Sequence, residues 1–308
     1  MPEEFKRTEK LMGNTFELTV VGEDKQLAFA QIALAIQEIK RIENLLTTFQ
    51  SNSQTNQVND NAGIQPTVVD KEVFDLIERS IRISTITDGA FDITYGSVDK
   101  SLWNFDRTMT RLPDALTASA MVRLINYRNI ILKKEDHSVF LKEKGMRIGF
   151  GGIGKGYAAE MAKLFLQKRG VQSGVINASG DISTWGTQAN GNPWTIGIAD
   201  PDNASLPFSY MNISNMAVAT SGNYEKFVVI DGQRYSHTIN PKTGLPVSGI
   251  KSVTVICPNA EIADAMATPI TIMGVKAGLD MVNQISQLAC IIIDDHNKIY
   301  YSKNIQLK

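Results

Sequence analysis

The apolar positions of the chain follow two periods, one typical of helices and one typical of strands. Between residues 24 and 46 apolar side chains recur every three or four positions, which predicts a long amphipathic helix. Asp70 is placed to cap a second helix that extends to about residue 85. Further helices are predicted at residues 117–127, at 155–169, from 259 onward and from 275 onward. Alternating or continuous apolar runs predict strands at residues 15–21, 130–132, 139–148, 174–178, 194–199, 216–220, 227–230 and 251–256, with a last hairpin about residues 294–297.

These elements predict a protein of the mixed α and β class. The strands are many and the helices interrupt them irregularly, so the pattern favours neither an all-β nor a purely alternating arrangement. A chain of 308 residues with 43% hydrophobic residues can bury a substantial core. No internal repeat and no linker is visible, and we expect one domain over residues 11–303.

A glycine-rich stretch between the strand-like run 139–148 and the helix to residue 169 is the strongest local signal. It holds Lys155 among five glycines: Gly149, Gly151, Gly152, Gly154 and Gly156. Glycines let backbone N–H groups approach a ligand closely, and the start of a helix adds a positive dipole end. The stretch predicts a site for a phosphate or a pyrophosphate. A tight strand-to-helix turn without a ligand is the alternative.

Two phosphate-binding motifs match this stretch in part. Gly149, Gly151 and Gly154 have the G-x-G-x-x-G spacing of dinucleotide-binding folds, but the acidic residue about 20 positions on is missing. Gly149, Gly154 and Lys155 also begin a P-loop. Gly156, however, stands where Ser or Thr should hold magnesium.

Composition excludes several classes of function. A net charge of −1 gives no reason to expect binding to nucleic acid or to an anionic membrane surface. Two cysteines in apolar runs, Cys257 and Cys290, read as core residues, and with three scattered histidines they build no soft metal site. No apolar run is long enough to span a membrane. The charged N-terminus lacks the core of a signal peptide, so we expect either a cytoplasmic protein or one whose export signal is not part of this sequence.

Two further places carry residues suited to chemistry. Asp264 and Thr268 lie four positions apart on a predicted helix and share one face, where they offer hard oxygen ligands suited to Mg²⁺. Pro269 follows them and is expected to kink or end this helix. His237 stands at the end of a strand, just before a Pro/Gly turn, where functional residues are often displayed. A surface Asp–Thr pair and a structural histidine are the alternatives.

Seven motifs, taken together, resemble the FAD:protein FMN transferases of the ApbE family. The resemblance extends from about residue 11 to residue 293. The motifs are Met12-Gly13, Gly89-Ala-Phe-Asp-Ile-Thr94, Gly151-Gly-Ile-Gly-Lys-Gly-Tyr157, Asn177-Ala-Ser-Gly-Asp181, Ala219-Thr-Ser-Gly222, Tyr235-Ser-His-Thr-Ile-Asn-Pro241 and Ala263-Asp-Ala-Met-Ala-Thr268.

The resemblance implies both a fold and an activity. The fold is of the α+β class, with mostly antiparallel sheets and packed helices in an ApbE-like, T-fold-related architecture. The activity is magnesium-dependent transfer of the FMN moiety of FAD to a Thr or Ser hydroxyl of a target flavoprotein, through a phosphoester, with release of AMP. The family's acceptors are subunits of membrane redox pumps, and its usual place is the cell envelope.

The same match assigns individual residues. His237 falls on the position of the proposed catalytic histidine. The metal positions are taken by the carbonyl of Gly152 and the side chains of Asp264 and Thr268. Flavin-binding positions fall on Met12, Phe49, Ala90, Phe91, Asp92, Lys155 and Ile239.

The sequence departs from the family pattern at three positions. Gly149 stands where the family usually has an Asp that contacts the flavin nucleotide, Phe49 replaces a Tyr, and Asn14 replaces a Thr. Three alternatives to the transferase follow from the residues: an FAD pyrophosphatase that yields FMN and AMP, an FAD-binding protein without turnover, and a nicotinamide-dependent Rossmann oxidoreductase.

Overall fold

The largest sheet of the protein has eight strands, in the order β1-β2-β6-β7-β10-β13-β14-β15. The computed structural model describes residues 1–199, 207–222 and 226–305. The strands are β1 (Glu3–Leu11), β2 (Asn14–Gly22), β3 (Thr67–Val68), β4 (Ile130–Lys133), β5 (Ser138–Leu141), β6 (Gly174–Ala178), β7 (Asp181–Trp185), β8 (Trp194–Ala199), β9 (Pro207–Ile213), β10 (Ala217–Gly222), β11 (Phe227–Ile230), β12 (Gln233–Ser236), β13 (Ile250–Cys257), β14 (Ala289–Asp294) and β15 (Ile299–Tyr301). The α-helices are α1 (Lys25–Leu46), α2 (Gln54–Asp60), α3 (Lys71–Ile86), α4 (Ala115–Met121), α5 (Gly154–Lys168) and α6 (Ala260–Val282).

Strand pairing in the described residues is antiparallel throughout. The eight-stranded sheet is accompanied by a three-stranded sheet, β3-β5-β4, and by the pairs β8-β9 and β11-β12. Each pair of neighbouring strands has antiparallel register. The expectation of an α+β fold with mostly antiparallel sheets is confirmed. A Rossmann fold, which needs parallel strands joined by helices, is not supported.

The large sheet is buried on both faces in its central strands. Successive side chains of a strand point to opposite faces. On one face Ala219, Val255 and Ile292 belong to the main core, which also contains the inward sides of α1, α5 and α6. On the other face Val218, Ile256 and Ile291 form a second core with Trp194 and Ile196 of β8. Burial on both sides explains why β14 reads as a continuous apolar run rather than an alternating one.

Helices α5 and α6 meet through their N-terminal turns, and each receives a hydrogen bond from the other. The Gly156 N–H of α5 donates to Asp264 Oδ2 of α6 at 2.9 Å. The Ala260 N–H of α6 donates to Glu160 Oε2 of α5, also at 2.9 Å. A Cβ at Gly156 would lie 2.2 Å from the Ala260 carbonyl oxygen. The approach therefore requires glycine at position 156, which is why no Ser or Thr completes a P-loop here.

The strand predicted before the glycine-rich stretch of residues 149–156, called the glycine loop below, is shorter than expected. β5 ends at Leu141, and residues 142–153 have no strand pairing. The backbone there bonds to side chains instead, because the Arg147 N–H donates to Ser97 Oγ and the Ile148 N–H to Asn59 Oδ1. Buried and exposed residues alternate in part of this segment as they do in a strand, although the segment pairs with no other strand.

Other boundaries differ in smaller ways. α6 continues through Pro269, so it does not end at the proline, and its non-helical residue is Gly274, with φ of 84°, just before the helix expected from residue 275. α4 ends at Met121, short of the predicted residue 127. Strands β1, β7 and β9 were not expected, β1 because its charged residues hide the alternation.

Two further expectations from the sequence concern the cysteines and membrane-spanning segments. Cys257 and Cys290 are unpaired and buried, as expected of core residues. Within the described ranges, no helix combines the length and apolar character that crossing a membrane requires.

Candidate active site

The glycine loop forms the floor at which three cavities meet. The central cavity, of about 490 Å³, is lined by Lys155, Asp181, His237, Asp264 and Thr268, among others. A second, the Phe49 cavity, of about 440 Å³, is lined by Met12, Leu46, Phe49, Gly149 and Phe150. The third, the Phe91 cavity, of about 390 Å³, is lined by Ala90, Phe91, Asp92, Tyr95 and Ile272. Gly151 contributes to the walls of all three.

The loop is held in place by the rest of the chain. The Gly149 N–H donates to the Ile93 carbonyl oxygen at 2.9 Å. Gly149 has no positive φ, and a Cβ there would meet only Thr48 Cγ2, at 3.8 Å. The glycine at this position is therefore not required by the backbone, and a Cβ can be added there without a clash.

Lys155 has two buried carboxyls beside it. Its ammonium forms an ion pair with Asp181 Oδ2, and that carboxylate is almost fully buried. Burial alone would lower the pKa of Lys155, but the charges of Asp264 and Asp181 together raise it. The ammonium is therefore charged at neutral pH and lies at the wall of the central cavity.

Burial is the largest influence on the pKa of both carboxyls, Asp181 and Asp264. Desolvation, followed by the charge of Asp264, raises the pKa of Asp181 to about 7, while Lys155 opposes the rise. Desolvation also raises the pKa of Asp264, against the attraction of Lys155 and the N–H groups of Gly156 and Lys155. Asp181, Asp264 and Lys155 lie at the wall of the central cavity, which Lys226 also lines, so the charge of this region depends on the protonation of the two carboxyls.

The three positions expected to hold a metal do come together. Gly152, Asp264 and Thr268 all line the central cavity, and they offer a carbonyl, a carboxylate and a hydroxyl oxygen. Among the residues with described positions, no group of three or more His, Cys, Asp or Glu side chains is placed to hold a metal. The donor set is thus hard and oxygen-only, which fits Mg²⁺ and does not fit a soft transition metal.

His237 lies on the wall between the central cavity and the Phe91 cavity. Its ring Nδ1 is 3.3 Å from the carbonyl oxygen of Lys226, and its backbone N–H donates to the same oxygen. The ring of Phe105 packs edge-on at 6.3 Å between centroids. These contacts set the orientation of an exposed imidazole whose other face borders the cavities.

The expected flavin positions divide between two cavities. Met12 and Phe49 line the Phe49 cavity, where Phe49 is 96% exposed and makes few contacts with the rest of the protein. Ala90, Phe91 and Asp92 line the Phe91 cavity. Lys155 borders the Phe49 cavity and the central cavity alike.

Two of the expected residues are engaged within the protein. The Asp92 carboxylate accepts hydrogen bonds from the Thr94 N–H and hydroxyl and from the Tyr127 N–H. Burial raises the pKa of this carboxyl, and these bonds oppose the rise. Ile239 packs in a small apolar cluster with Met121 and Val122, and it is absent from the described walls of the three cavities.

Asp181 is not among the site residues expected from the sequence, although it ends one of the seven motifs. In the structure Asp181 is the ion-pair partner of Lys155. The sequence offers little signal, since β7 also carries Ser183 and Thr184, and only the structure shows that four of its five positions are buried. A buried acid at such a place requires a partner.

The fold is of the mixed α and β class, and it carries a cleft typical of enzymes. Comparisons with known sequences and structures identify its family. The profile of the ApbE family matches residues 12–292. The chain belongs to the ApbE family.

Individual relatives are similar to this chain over most of its length. A protein of Klebsiella pneumoniae named FAD:protein FMN transferase is 32% identical over 97% of this chain and 92% of its own length. One of Salmonella typhimurium with the same name is 29% identical over 89% and 80%. The crystal structure of the ApbE protein of Thermotoga maritima superposes with a TM-score of 0.86, at 28% identity, over 98% of this chain and 97% of that one. The apo flavinyl transferase ApbE of Pseudomonas stutzeri gives a TM-score of 0.85 at 24% identity, covering 98% and 96%, and supports the fold.

Proposed function

We propose that this chain transfers the FMN moiety of FAD to a Thr or Ser hydroxyl of a target flavoprotein, in a magnesium-dependent reaction that forms a phosphoester and releases AMP. By family the chain is a flavin transferase. The observation that supports the finer proposal most is the convergence in one cavity of Lys155, Asp264, Thr268 and His237, from three separate parts of the chain.

The size and shape of the cleft suit a dinucleotide. The Phe49 cavity and the Phe91 cavity each have aromatic and apolar walls, and they meet at Gly151. A planar ring can occupy each of them, with the isoalloxazine beside Phe49. The linking pyrophosphate then lies at the glycine loop, beside the Lys155 ammonium and the N-terminus of α5.

The residues of the central cavity have separate tasks in this proposal. Gly152, Asp264 and Thr268 would hold Mg²⁺, which would neutralise charge on the pyrophosphate when bound. Lys155 would bind a phosphate oxygen. His237 would accept the proton of the acceptor hydroxyl as its oxygen bonds to the FMN phosphorus. The anhydride P–O bond breaks in the same displacement, and AMP leaves with that oxygen.

The partner in this proposal is a flavoprotein that carries the target Thr or Ser, and a redox-pump subunit is the kind of acceptor we expect. The exposed His237 side chain makes the reacting position accessible to another protein.

Incubation with FAD, Mg²⁺ and such an acceptor tests the proposal. Transfer gives a flavin-fluorescent acceptor band and one AMP per flavin attached. Release of FMN and AMP without labelling would instead establish a pyrophosphatase, and unchanged FAD would establish a binding protein.

Two substitutions of Asp264 separate the metal from the fold. Asp264→Asn and Asp264→Ala should both abolish Mg²⁺-dependent turnover, because each removes the only carboxylate among the proposed ligands. Asp264→Ala should also melt earlier, since it leaves the N-terminus of α5 without its acceptor, a loss of about 1 kcal/mol. Thermal melts and activity against Mg²⁺ check both statements, and full activity of Asp264→Asn at low Mg²⁺ would place the metal elsewhere.

A further inference from the structure

Two buried carboxylates can each form an ion pair with the Lys155 ammonium. Asp181 and Asp264 both act on its charge, and both line the central cavity. The ion pair is formed with Asp181. Asp264, the candidate metal ligand, attracts the ammonium through space without being its hydrogen-bonded partner.

The Asp181 side chain is fixed in the position from which it forms this ion pair. It is the first residue of β7, which pairs with β6 on one side and with β10 on the other. Its carboxylate also accepts a hydrogen bond from the backbone N–H of Thr220 in β10. Only 3% of the residue is exposed, so its side chain has little freedom to leave this position.

Asp264 retains room for another ligand. Its carboxylate accepts from the backbone N–H groups of Gly156 and Lys155 at the start of α5. A carboxylate offers about four lone-pair positions, so about two remain after these bonds. Those positions are available to a cation only while the Lys155 ammonium is held elsewhere.

We propose that Asp181 is a positioning residue, which holds the Lys155 ammonium off Asp264 and so leaves that carboxylate open to a divalent cation. The inference rests on the proposed function in taking Asp264 as a ligand of Mg²⁺. Without the negative charge of Asp181, the carboxylate left beside the partly buried ammonium is Asp264. An ammonium that is partly removed from water gains from such a partner, so it competes with the cation for the same oxygens.

A double-mutant cycle on the metal-free protein tests this inference by direct binding of Mg²⁺ in calorimetry. Asp181→Asn alone should raise the Kd for Mg²⁺ at least about tenfold, or about 1.4 kcal/mol. In a Lys155→Met background the same substitution should change the Kd less than about threefold, because no ammonium remains to compete.

The alternatives give different patterns. If Asp181 acts only through its charge at a distance, Asp181→Asn changes the Kd by the same factor in both backgrounds, and the inference is overturned. Equal Kd for Asp181→Asn and the unaltered protein overturns it as well. No Mg²⁺ binding to the unaltered protein refutes the metal site of the proposed function and this inference with it.

A control for folding comes from the same helix. Glu160 and Lys163 form a second buried ion pair, at 2.7 Å, outside the three cavities. Glu160→Gln removes a comparable buried charge and should lower the melting temperature without changing the Kd for Mg²⁺. If Asp181→Asn does not fold, Asp181→Ser takes its place in the same cycle, and an equal change of the Kd in both backgrounds overturns the inference.

Discussion

At the scale of single residues, the most informative position is one where the family's side chain is missing. Gly149 lies on the shared wall of the Phe49 and Phe91 cavities, with ordinary backbone angles and open space beside it. The sequence leaves two explanations for this glycine, a lost ligand contact or a backbone requirement. The structure removes the second.

Gly149→Asp should therefore bind FAD more tightly. A hydrogen bond from a ligand to a charged group contributes about 1.5–3 kcal/mol, which is about ten- to a hundredfold in Kd. A fluorescence titration with FAD measures the change. Gly149→Ala, which adds only the Cβ, is the control and should leave the Kd unchanged, while an early melt of both variants would restore the backbone explanation.

Met12 is strained at the edge of the same cleft. With φ of 52° it occupies the left-handed region, next to Gly13 at 71°, in the two-residue turn between β1 and β2. A non-glycine residue with this conformation is unfavourable by about 1–2 kcal/mol, and Asn tolerates it best. The family resemblance places Met12 on a flavin position, where such strain is often retained.

Met12→Asn should make the protein more stable and FAD binding weaker. We expect the free energy of unfolding to rise by about 1 kcal/mol and the Kd for FAD to rise because the thioether wall is lost. Denaturant unfolding and FAD titration measure the two effects. Gln287→Asn, at φ of 68° outside the three cavities, should share the first effect and lack the second. Unchanged FAD affinity in Met12→Asn would remove Met12 from the site.

At the scale of secondary-structure elements, the crossing of α5 and α6 matters most, because it carries Lys155 and Asp264. Gly156→Ala should force the helices apart, since its Cβ would lie 2.2 Å from a backbone oxygen. We expect a loss of about 1–3 kcal/mol or more. Gly151→Ala has nothing within 4 Å of its Cβ and should melt as the unaltered protein does. Equal melting of the two variants would show that the crossing can open without loss.

How far the elements could be predicted depended on whether their pattern was local. α1 begins after Asp24 and ends at Leu46, as expected, because its caps and its apolar stripe lie in one continuous stretch. The predicted strand before the glycine loop is wrong beyond Leu141, because the backbone N–H groups of Arg147 and Ile148 bond to the side chains of Ser97 and Asn59. No local pattern reveals such distant partners. Asp181 was passed over for the same reason, since its partner Lys155 is 26 positions away.

At the scale of the whole molecule, the buried carboxyls set the pH dependence of stability. Asp92, Asp181 and Asp264 all have a pKa that burial raises above the ordinary value. A raised carboxyl pKa gives stability that is present below the unfolded value and lost as pH rises through the folded one. For Asp181 that interval extends from about 4 to about 7.

The metal-free protein should therefore melt at a lower temperature at pH 8 than at pH 5. Mg²⁺ should reverse part of this difference, because it binds the deprotonated carboxylate and stabilises the folded form. Melts at both pH values, with Mg²⁺ or with a chelator, measure it. Asp264→Asn should show no response to Mg²⁺ at either pH, and an equal Mg²⁺ response at pH 5 and 8 would contradict the assignment.

The reciprocal bonding of α5 and α6 also fixes when the site can appear during folding. The residue before α5, Ile153, offers no side-chain cap, and the helix start is satisfied by a carboxylate 108 positions further along the chain. Contacts between such distant residues close late, because a long loop must first be ordered. A nascent chain that has not yet extended past α6 therefore lacks the formed turn at which we propose that the pyrophosphate of FAD binds, and we expect FAD to bind only after α5 and α6 have packed together.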